Sequence, residues 1–280
     1  MSKSVRIYLI FWCMSLSKKS LILTALIVFL FCRAEAQKFS FGAKAGALVS
    51  WCSFADPDDS KEFSSLPKAG FLVEGLINFP MKSNYSFQAE GGFSQHGRRV
   101  SYANGTWENN STYYFGNLSM ILRRSFQLHV LKNVPTNWFV NVGPSINYWL
   151  SGRGNIIVEY GVTQPYSMIF NKPSDLSYDK MFVNDANRWL FGLSGGIGFD
   201  ATTLRNQKIV TELRVSFAKT YLGNKNSTAI NVLGFEDSLK ANLLTINLSV
   251  AYVFDKDIKE SKMGKSNKDK VVNRKKTKKK

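Results

Sequence analysis

The feature that most constrains this chain is an unbroken two-residue alternation from Leu244 to Phe254. Large apolar residues, ending in two aromatics, occupy every second position, and Thr, Asn, Ser, Ala and Val fill the positions between them. This period places the two sets on opposite faces of a strand. In an exported chain, it predicts one face against lipid and the other toward a barrel interior.

An export signal is predicted at the N-terminus. Two lysines precede an apolar run over residues 21–31, and the small-x-small sequence at 34–36 is typical of a cleavage site. The run has about eleven residues, whereas a membrane-spanning helix needs about twenty. We therefore expect residues 1–36 to be a cleaved signal peptide.

The three cysteines give no expected disulfide. Cleavage removes Cys13 and Cys32 and leaves Cys52 alone, so no intramolecular pair remains. The residue before Cys32 is not small, unlike in a lipobox, and lipidation is not expected. Whether translation begins at Met1 or Met14 stays open.

The net charge of +17 lies mostly at the two ends of the chain. Residues 1–36 carry +4 and residues 255–280 carry +8, so the segment between them carries +5. The C-terminal segment has no aromatic residue, whereas a nucleic-acid-binding face interleaves basic and aromatic side chains. We expect no nucleic-acid partner. We interpret 255–280 as a disordered basic tail; docking in the periplasm on anionic lipid, an acidic protein or the cell wall is the alternative.

Eight segments have the pattern and the length of membrane-spanning strands. They lie at about 38–50, 68–80, 85–97, 112–124, 136–150, 188–201, 208–222 and 241–254. Together they predict an all-β, eight-stranded antiparallel transmembrane barrel of the outer-membrane type, over residues 37–254.

The connections between these segments predict the orientation of the barrel. With a periplasmic N-terminus, the outer connections are 51–67, 98–111, 151–187 and 223–240, and the inner ones are 81–84, 125–135 and 202–207. Every outer connection is longer than every inner one, as in outer-membrane barrels. An even strand number also returns the C-terminus to the periplasm.

Two local features refine this prediction. Pro144 removes a ladder donor within the fifth strand, which suggests a bulge there. Aromatic residues near the strand ends are expected to form interfacial girdles. These are Phe39, Phe41, Trp138, Tyr148, Trp149, Trp189, Tyr221, Tyr252 and Phe254.

Charged residues on the inward face are expected to pair inside the barrel, because eight strands leave a lumen just wide enough for side chains. This predicted set is Lys44, Glu74, Glu90, Arg123, Glu212 and Arg214. No phosphate-binding loop, CxxC pair or metal-ligand spacing is present, so we expect no metal, no cofactor and no catalytic site. His96 faces inward two residues from Ser94, but the sequence fixes no third catalytic partner, and His129 lies in a predicted inner turn.

The chain resembles the outer-membrane β-barrel proteins typical of Bacteroidetes, called PorT-like or porin family proteins. The resemblance rests on Phe41–Gly46, Ala69–Gly75, Phe87–Phe93, Phe139–Pro144, Phe191–Gly198 and the closing strand. The resemblance implies an outer-membrane location and a barrel fold, but no specific function. A few members of the family are associated with protein secretion. Asn117-Leu118-Ser119 replaces the common leucine-proline step. A further 26 residues follow Phe254, so the barrel-assembly machinery must recognise a strand that is not terminal.

The first functional hypothesis is a structural or interaction module of the envelope, connected with secretion or envelope assembly. Its expected partners are outer-membrane lipids, the assembly machinery, and proteins bound at 51–67, 151–187 and the basic tail. A narrow channel is the second hypothesis, and an enzyme using His96 and an inward acid is the third. A soluble lipocalin-like barrel would instead place its apolar residues inside.

Overall fold

The computed structural model describes residues 38–102, 107–131, 134–158, 161–170, 179–183, 185–203, 207–223, 230–232 and 235–257. The predicted signal peptide, with Cys13 and Cys32, lies outside these residues, as does the tail from 258 onward.

The described chain forms thirteen strands and one helical turn. In chain order they are β1 (Lys38–Phe54), α1 (Asp59–Glu62), β2 (Phe63–Leu66), β3 (Lys68–Pro80), β4 (Tyr85–Tyr102), β5 (Glu108–Leu131), β6 (Val134–Ile157), β7 (Thr163–Phe170), β8 (Lys180–Val183), β9 (Trp189–Thr202), β10 (Gln207–Ala218), β11 (Ile230–Val232), β12 (Phe235–Asp237) and β13 (Ala241–Asp257). No helix among the described residues is long and apolar enough to cross a membrane.

Eight of these strands close into an antiparallel ring, in the order β1, β3, β4, β5, β6, β9, β10 and β13. The ring closes between β1 and β13, whose pairing runs from Lys38 opposite Asp257 to Phe54 opposite Ala241. The structure confirms the predicted eight-stranded barrel. The predicted strand 208–222 ends earlier, at Ala218, and the last strand continues three residues past Phe254.

The two ends of the ring differ, and we call them the turn end and the loop end. The turn end carries the short connections 81–84, 132–133 and 203–206, together with the first and last described residues. The loop end carries 55–67, 103–107, 158–188 and 219–240. Each loop-end connection is longer than each turn-end connection, as predicted.

The strands β4, β5 and β6 extend beyond the predicted segments. Most of the predicted connections 98–111 and 125–135 continue as strand, and β5 and β6 each have 24 residues. At about 3.3 Å per residue, such strands are far longer than an apolar band of about 25 Å requires. The predicted loops 51–67 and 151–187 also contain β-structure, because β2 pairs with β4, β7 with β6, and β8 with β7. The loop end is therefore built largely of strands.

The outer surface of the ring is apolar, as the alternation predicts. On β13, Ile246, Leu248, Val250, Tyr252 and Phe254 are exposed, whereas Thr245, Asn247, Ser249, Ala251 and Val253 are buried. On β3 the apolar band runs from Phe71 to Ile77. The nine residues from Ile246 to Phe254 reach the length of about nine to eleven residues that a tilted transmembrane strand needs.

Two of the local predictions were wrong in part. The register across Pro144 is unbroken, and the two register shifts lie instead at Tyr114/Phe115, opposite Ser151 and Trp149, and at Leu128/Leu131. Trp149 is fully buried and points inward, so it does not belong to a girdle. Most of the other girdle residues have exposed rings, including Trp138 and Trp189 on the outer surface.

Candidate functional site

A layer of five charged side chains crosses the middle of the lumen. We call Lys44, Glu74, Glu90, Glu212 and Arg214 the charged layer. The Lys44 ammonium lies 2.6 Å from Glu90, 3.0 Å from Glu74 and 3.7 Å from Glu212. Arg214 bonds both Glu90, at 2.5 Å, and Glu212, at 2.6 Å. The layer thus contains two cations and three carboxylates, all of which are buried.

Neutral side chains provide further hydrogen bonds to these carboxylates. The amide nitrogens of Gln88 and Asn141 donate to Glu90 at 2.6 Å and to Glu212 at 2.8 Å. Gly196 leaves space for this arrangement, since a Cβ there would lie 3.0 Å from the Asn141 amide oxygen. Buried charges are stable only when they are paired and hydrogen-bonded. The layer meets this condition and closes the lumen to solvent at its centre.

A buried Ser–His pair lies next to the charged layer, toward the loop end. Ser94 Oγ lies 2.8 Å from His96 Nε2, and Thr245 Oγ1 lies 3.3 Å from His96 Nδ1. The adjoining cavity has a volume of about 50 Å³. Ligand pockets usually reach about 300–1,000 Å³, so this one is too small for a substrate.

The hydrogen bonds around the pair also determine where its protons lie. The Asn117 amide nitrogen faces Glu74 at 3.4 Å, so the Asn117 carbonyl accepts from Ser94 Oγ at 3.0 Å. The tautomer compatible with this bond is the one in which His96 Nε2–H donates to Ser94 and Nδ1 accepts from Thr245. A nucleophilic serine would instead donate its proton to the imidazole. The pair therefore lacks the arrangement of a serine nucleophile with its base.

A polar cavity of about 440 Å³ occupies the lumen at the turn end. It extends from the turn 81–84 to Lys44 in the charged layer. Arg123 and Asp200 form an ion pair on its wall, and the Asn137 amide donates to Asp200 at 2.8 Å. The cavity is a polar vestibule that ends at the charged layer.

A second barrier, which we call the apolar cap, fills the loop end. Seven of the eight ring strands contribute to it, as do β2, β7 and β8. Its residues are Cys52, Phe63, Val100, Tyr113, Phe115, Trp149, Ile156, Tyr166, Met168, Met181, Val183, Leu190, Ala218, Leu222, Leu239, Ala241 and Leu243. The rings of Tyr113 and Phe170 lie 4.8 Å and 4.9 Å from that of Trp149. The cap closes the lumen with packed apolar side chains.

The structure brings together most of the charged residues predicted to face inward. Five of the six form the charged layer, and the sixth, Arg123, pairs with Asp200 in the vestibule. Asp200 was absent from the predicted charged set, although its strand position follows the inward alternation. The apolar cap was also missed, because nine of its 17 residues, among them Val100, Ile156 and Met181, come from segments predicted as loops. The side chain of His129 lies outside the described part of the structure.

The described residues contain no group of three or more His, Cys, Asp or Glu side chains able to hold a metal ion.

Residues 35–218 match the family model described as an outer membrane protein beta-barrel domain. No curated protein sequence matches the chain.

Several solved structures are similar to this chain. OprG from Pseudomonas aeruginosa has 9% identity and a TM-score of 0.45, with 78% of this chain and 95% of OprG covered. Ail, the attachment invasion locus protein of Yersinia pestis, has 11% identity and a TM-score of 0.31, with coverages of 77% and 98%. The outer membrane protease OmpT from Escherichia coli has 8% identity and a TM-score of 0.36, with 79% of this chain and 97% of OmpT covered. Likeness of this extent carries no argument about function.

Proposed function

The chain belongs to the outer membrane protein beta-barrel domain family, and on this basis we propose that it is a non-conducting interaction module of the cell envelope. The eight-stranded ring anchors it in the outer membrane, and the loop end presents a folded surface to binding partners. The resemblance to PorT-like barrels of Bacteroidetes, and with it a role in secretion or envelope assembly, forms part of this proposal.

The observation that carries the proposal is the apolar cap. A pore needs a hydrated path, whereas Tyr113, Phe115 and Trp149 are fully buried across the lumen. The same packing holds β7 and β8 against the ring, through Tyr166, Met168, Met181 and Val183. A surface held by a packed core is pre-organised, which lowers the entropic cost of binding. The cap therefore supports a binding role and disfavours transport.

The orientation is also part of the proposal. Both described termini lie at the turn end, and the longer connections lie at the opposite end. Outer-membrane barrels place short turns in the periplasm and long loops outside. We infer that the termini are periplasmic and that segments 51–67 and 151–187 face outward. Lipids contact the apolar outer surface, and the assembly machinery recognises β13.

The channel and enzyme alternatives are less well supported. Ions would have to cross both the charged layer and the apolar cap. A serine-histidine enzyme would need Ser94 to donate its proton to His96, whereas that hydroxyl donates to Asn117. We therefore propose that the protein is not an enzyme.

Conductance in planar bilayers tests the closed lumen. We expect no unitary current steps from protein extracted from outer membranes in its folded, heat-modifiable form. Steps that persist after repurification, and that change when Arg214 is replaced by Gln, would contradict the proposal.

Site-specific photocrosslinking in living cells tests the binding role. A photoreactive residue at Lys61 or Val162, both exposed at the loop end, should give discrete protein adducts. The same residue at Lys82, in a turn-end connection, is the control for orientation. Adducts from Lys82 alone would indicate that the loop end is not the binding surface.

A further inference from the structure

Four residues lie side by side across β3, β4, β5 and β6 at the loop end. Gly97 is opposite Thr112, and Thr112 is opposite Arg153. The Lys68 side chain lies over Gly97, because a Cβ at Gly97 would be 2.2 Å from Lys68 Cγ. The Lys68 ammonium donates to the Ser111 carbonyl and to Thr112 Oγ1, both at 2.8 Å. The missing side chain at Gly97 thus lets Lys68 reach toward the strand that carries Arg153.

A third cation lies beside this pair. Arg99 is two residues beyond Gly97 on the same face of β4, and its guanidinium binds Glu108 through two hydrogen bonds of 2.6 and 2.9 Å. Among the residues that the structure describes, no carboxylate lies within ion-pair distance of Lys68 or Arg153. Within the described part of the chain, three cations therefore share one carboxylate.

Electrostatics agrees with this close approach. The Arg153 and Arg99 guanidinium groups both act electrostatically on the Lys68 ammonium. Three like charges held this close repel one another, so an anion placed among them would be stabilised.

We call Lys68, Arg99 and Arg153 the cationic cluster. It lies just beyond the apolar band. Below it, Phe71, Phe93 and Tyr114 form a row, with ring centroids 6.2 Å and 5.9 Å apart. The Arg153 guanidinium lies 5.8 Å from the Tyr114 ring centroid. Aromatic rings mark the membrane interface, and neighbouring basic side chains extend to the headgroups. Arg153 lies two residues beyond Ser151, the partner of Tyr114, and Arg99 lies four residues beyond Gln95, so they are about 7 and 13 Å along the strands from this row. The cations therefore lie at and just beyond the depth of the headgroups.

We propose that Lys68, Arg99 and Arg153 bind the phosphate of a lipid headgroup in the leaflet around the loop end. Guanidinium groups bind phosphate oxygens through paired hydrogen bonds, and an ammonium adds a point charge. The phosphate would balance Lys68 and Arg153, the two cations that have no carboxylate partner among the described residues. The inference rests on the proposed function only in taking the loop end as the outer side of the membrane.

The test is native mass spectrometry of the full-length protein released from detergent micelles, with dioleoylphosphatidic acid as the probe. Dioleoylglycerol, which lacks the phosphate, is the lipid control. The variant K68Q/R153Q removes two cluster cations, and K61Q/K219Q removes two exposed cations from other parts of the same end. R153Q alone serves as a second variant, since Arg153 is exposed and supports no hydrogen bond between described residues. A heat-modifiable gel shift verifies that each variant is folded.

We expect phosphatidic acid to bind the parent and K61Q/K219Q, and K68Q/R153Q to bind it at least about tenfold more weakly, since a single charge-assisted hydrogen bond is worth that factor. If both double variants bind phosphatidic acid equally weakly, the attraction is nonspecific and the proposal is overturned. Binding of dioleoylglycerol as strong as that of phosphatidic acid would also overturn it. Full displacement by millimolar inorganic phosphate would assign the site to free phosphate and overturn the lipid assignment. Conductance or a reversed orientation would contradict the proposed function without changing this binding, so the two failures are distinguishable.

Discussion

Lys44 and Glu90, 46 positions apart in the chain, meet at 2.6 Å in the centre of the lumen. Each lies on a strand whose next residue points into lipid. A one-residue slip in either strand would therefore place a charge in the apolar band. The contact is compatible only with the observed ring register.

Replacing Lys44 with Met should strongly destabilise the barrel. Arg214 would then be the one cation left in the charged layer, with three buried carboxylates around it, and breaking a buried ion pair on one side costs about 3–5 kcal/mol. Urea unfolding of the folded barrel, followed by its heat-modifiable gel shift, measures the loss. K61M is the control, because the Lys61–Asp58 pair is exposed and worth about 1 kcal/mol or less.

The double variant K44M/E74Q tests whether the loss comes from unpaired charge. Removing the Glu74 carboxylate restores the charge balance of the layer, so the second substitution should recover part of the stability. If the stability losses of K44M and E74Q simply add in the double variant, unpaired charge is not the cause of the loss in K44M.

The charged layer should divide the lumen into an accessible and an inaccessible part. Ser86 lines the turn-end vestibule, and Ser145 lines the small cavity on the other side. In a background with the natural cysteines replaced by serine, S86C should react with a charged thiol reagent in the folded barrel, whereas S145C should not. Both should react after unfolding in urea. Fast labelling of folded S145C would indicate a continuous water path.

Packing around Trp149 should control the order of the loop end. W149A removes a fully buried ring from the apolar cap, and such truncations cost about 3–5 kcal/mol. We expect protease to cleave the loop end of this variant while the ring strands stay protected. W189A is a matched control, because the Trp189 side chain is 55% exposed on the outer surface. Identical cleavage patterns would show that the cap does not hold the loop end.

Close backbone contact at Gly143 should make this position intolerant of any side chain. A Cβ there would lie 2.0 Å from the Met120 carbonyl oxygen. G143A should destabilise the barrel by about 1–3 kcal/mol or more, as measured by urea unfolding. A Cβ at Gly116 would have no atom within 4 Å, so G116A should leave stability nearly unchanged.

The sequence by itself determined the ring and its two faces. Alternation is local, because adjacent residues of a strand point to opposite sides whatever their neighbours are. Leu244–Phe254 therefore identified its lipid face without knowledge of any partner strand, and the inward position of Lys44, Glu90 and Arg214 followed in the same way. The lengths of the connections distinguished the loop end of the barrel from the turn end.

The tertiary structure decided which of these residues meet. Register between strands sets such contacts, and it depends on many pairings at once. Arg123 and Asp200 lie 77 positions apart, and their pairing depends on where β5 and β9 lie in the ring. The register shift between Trp149 and Ser151 turns Ile156 inward, against the alternation that holds from Asn141 to Trp149, and the bulge predicted at Pro144 is absent. The apolar cap and the cationic cluster likewise arise only where strands from distant segments come together, which local periodicity does not specify.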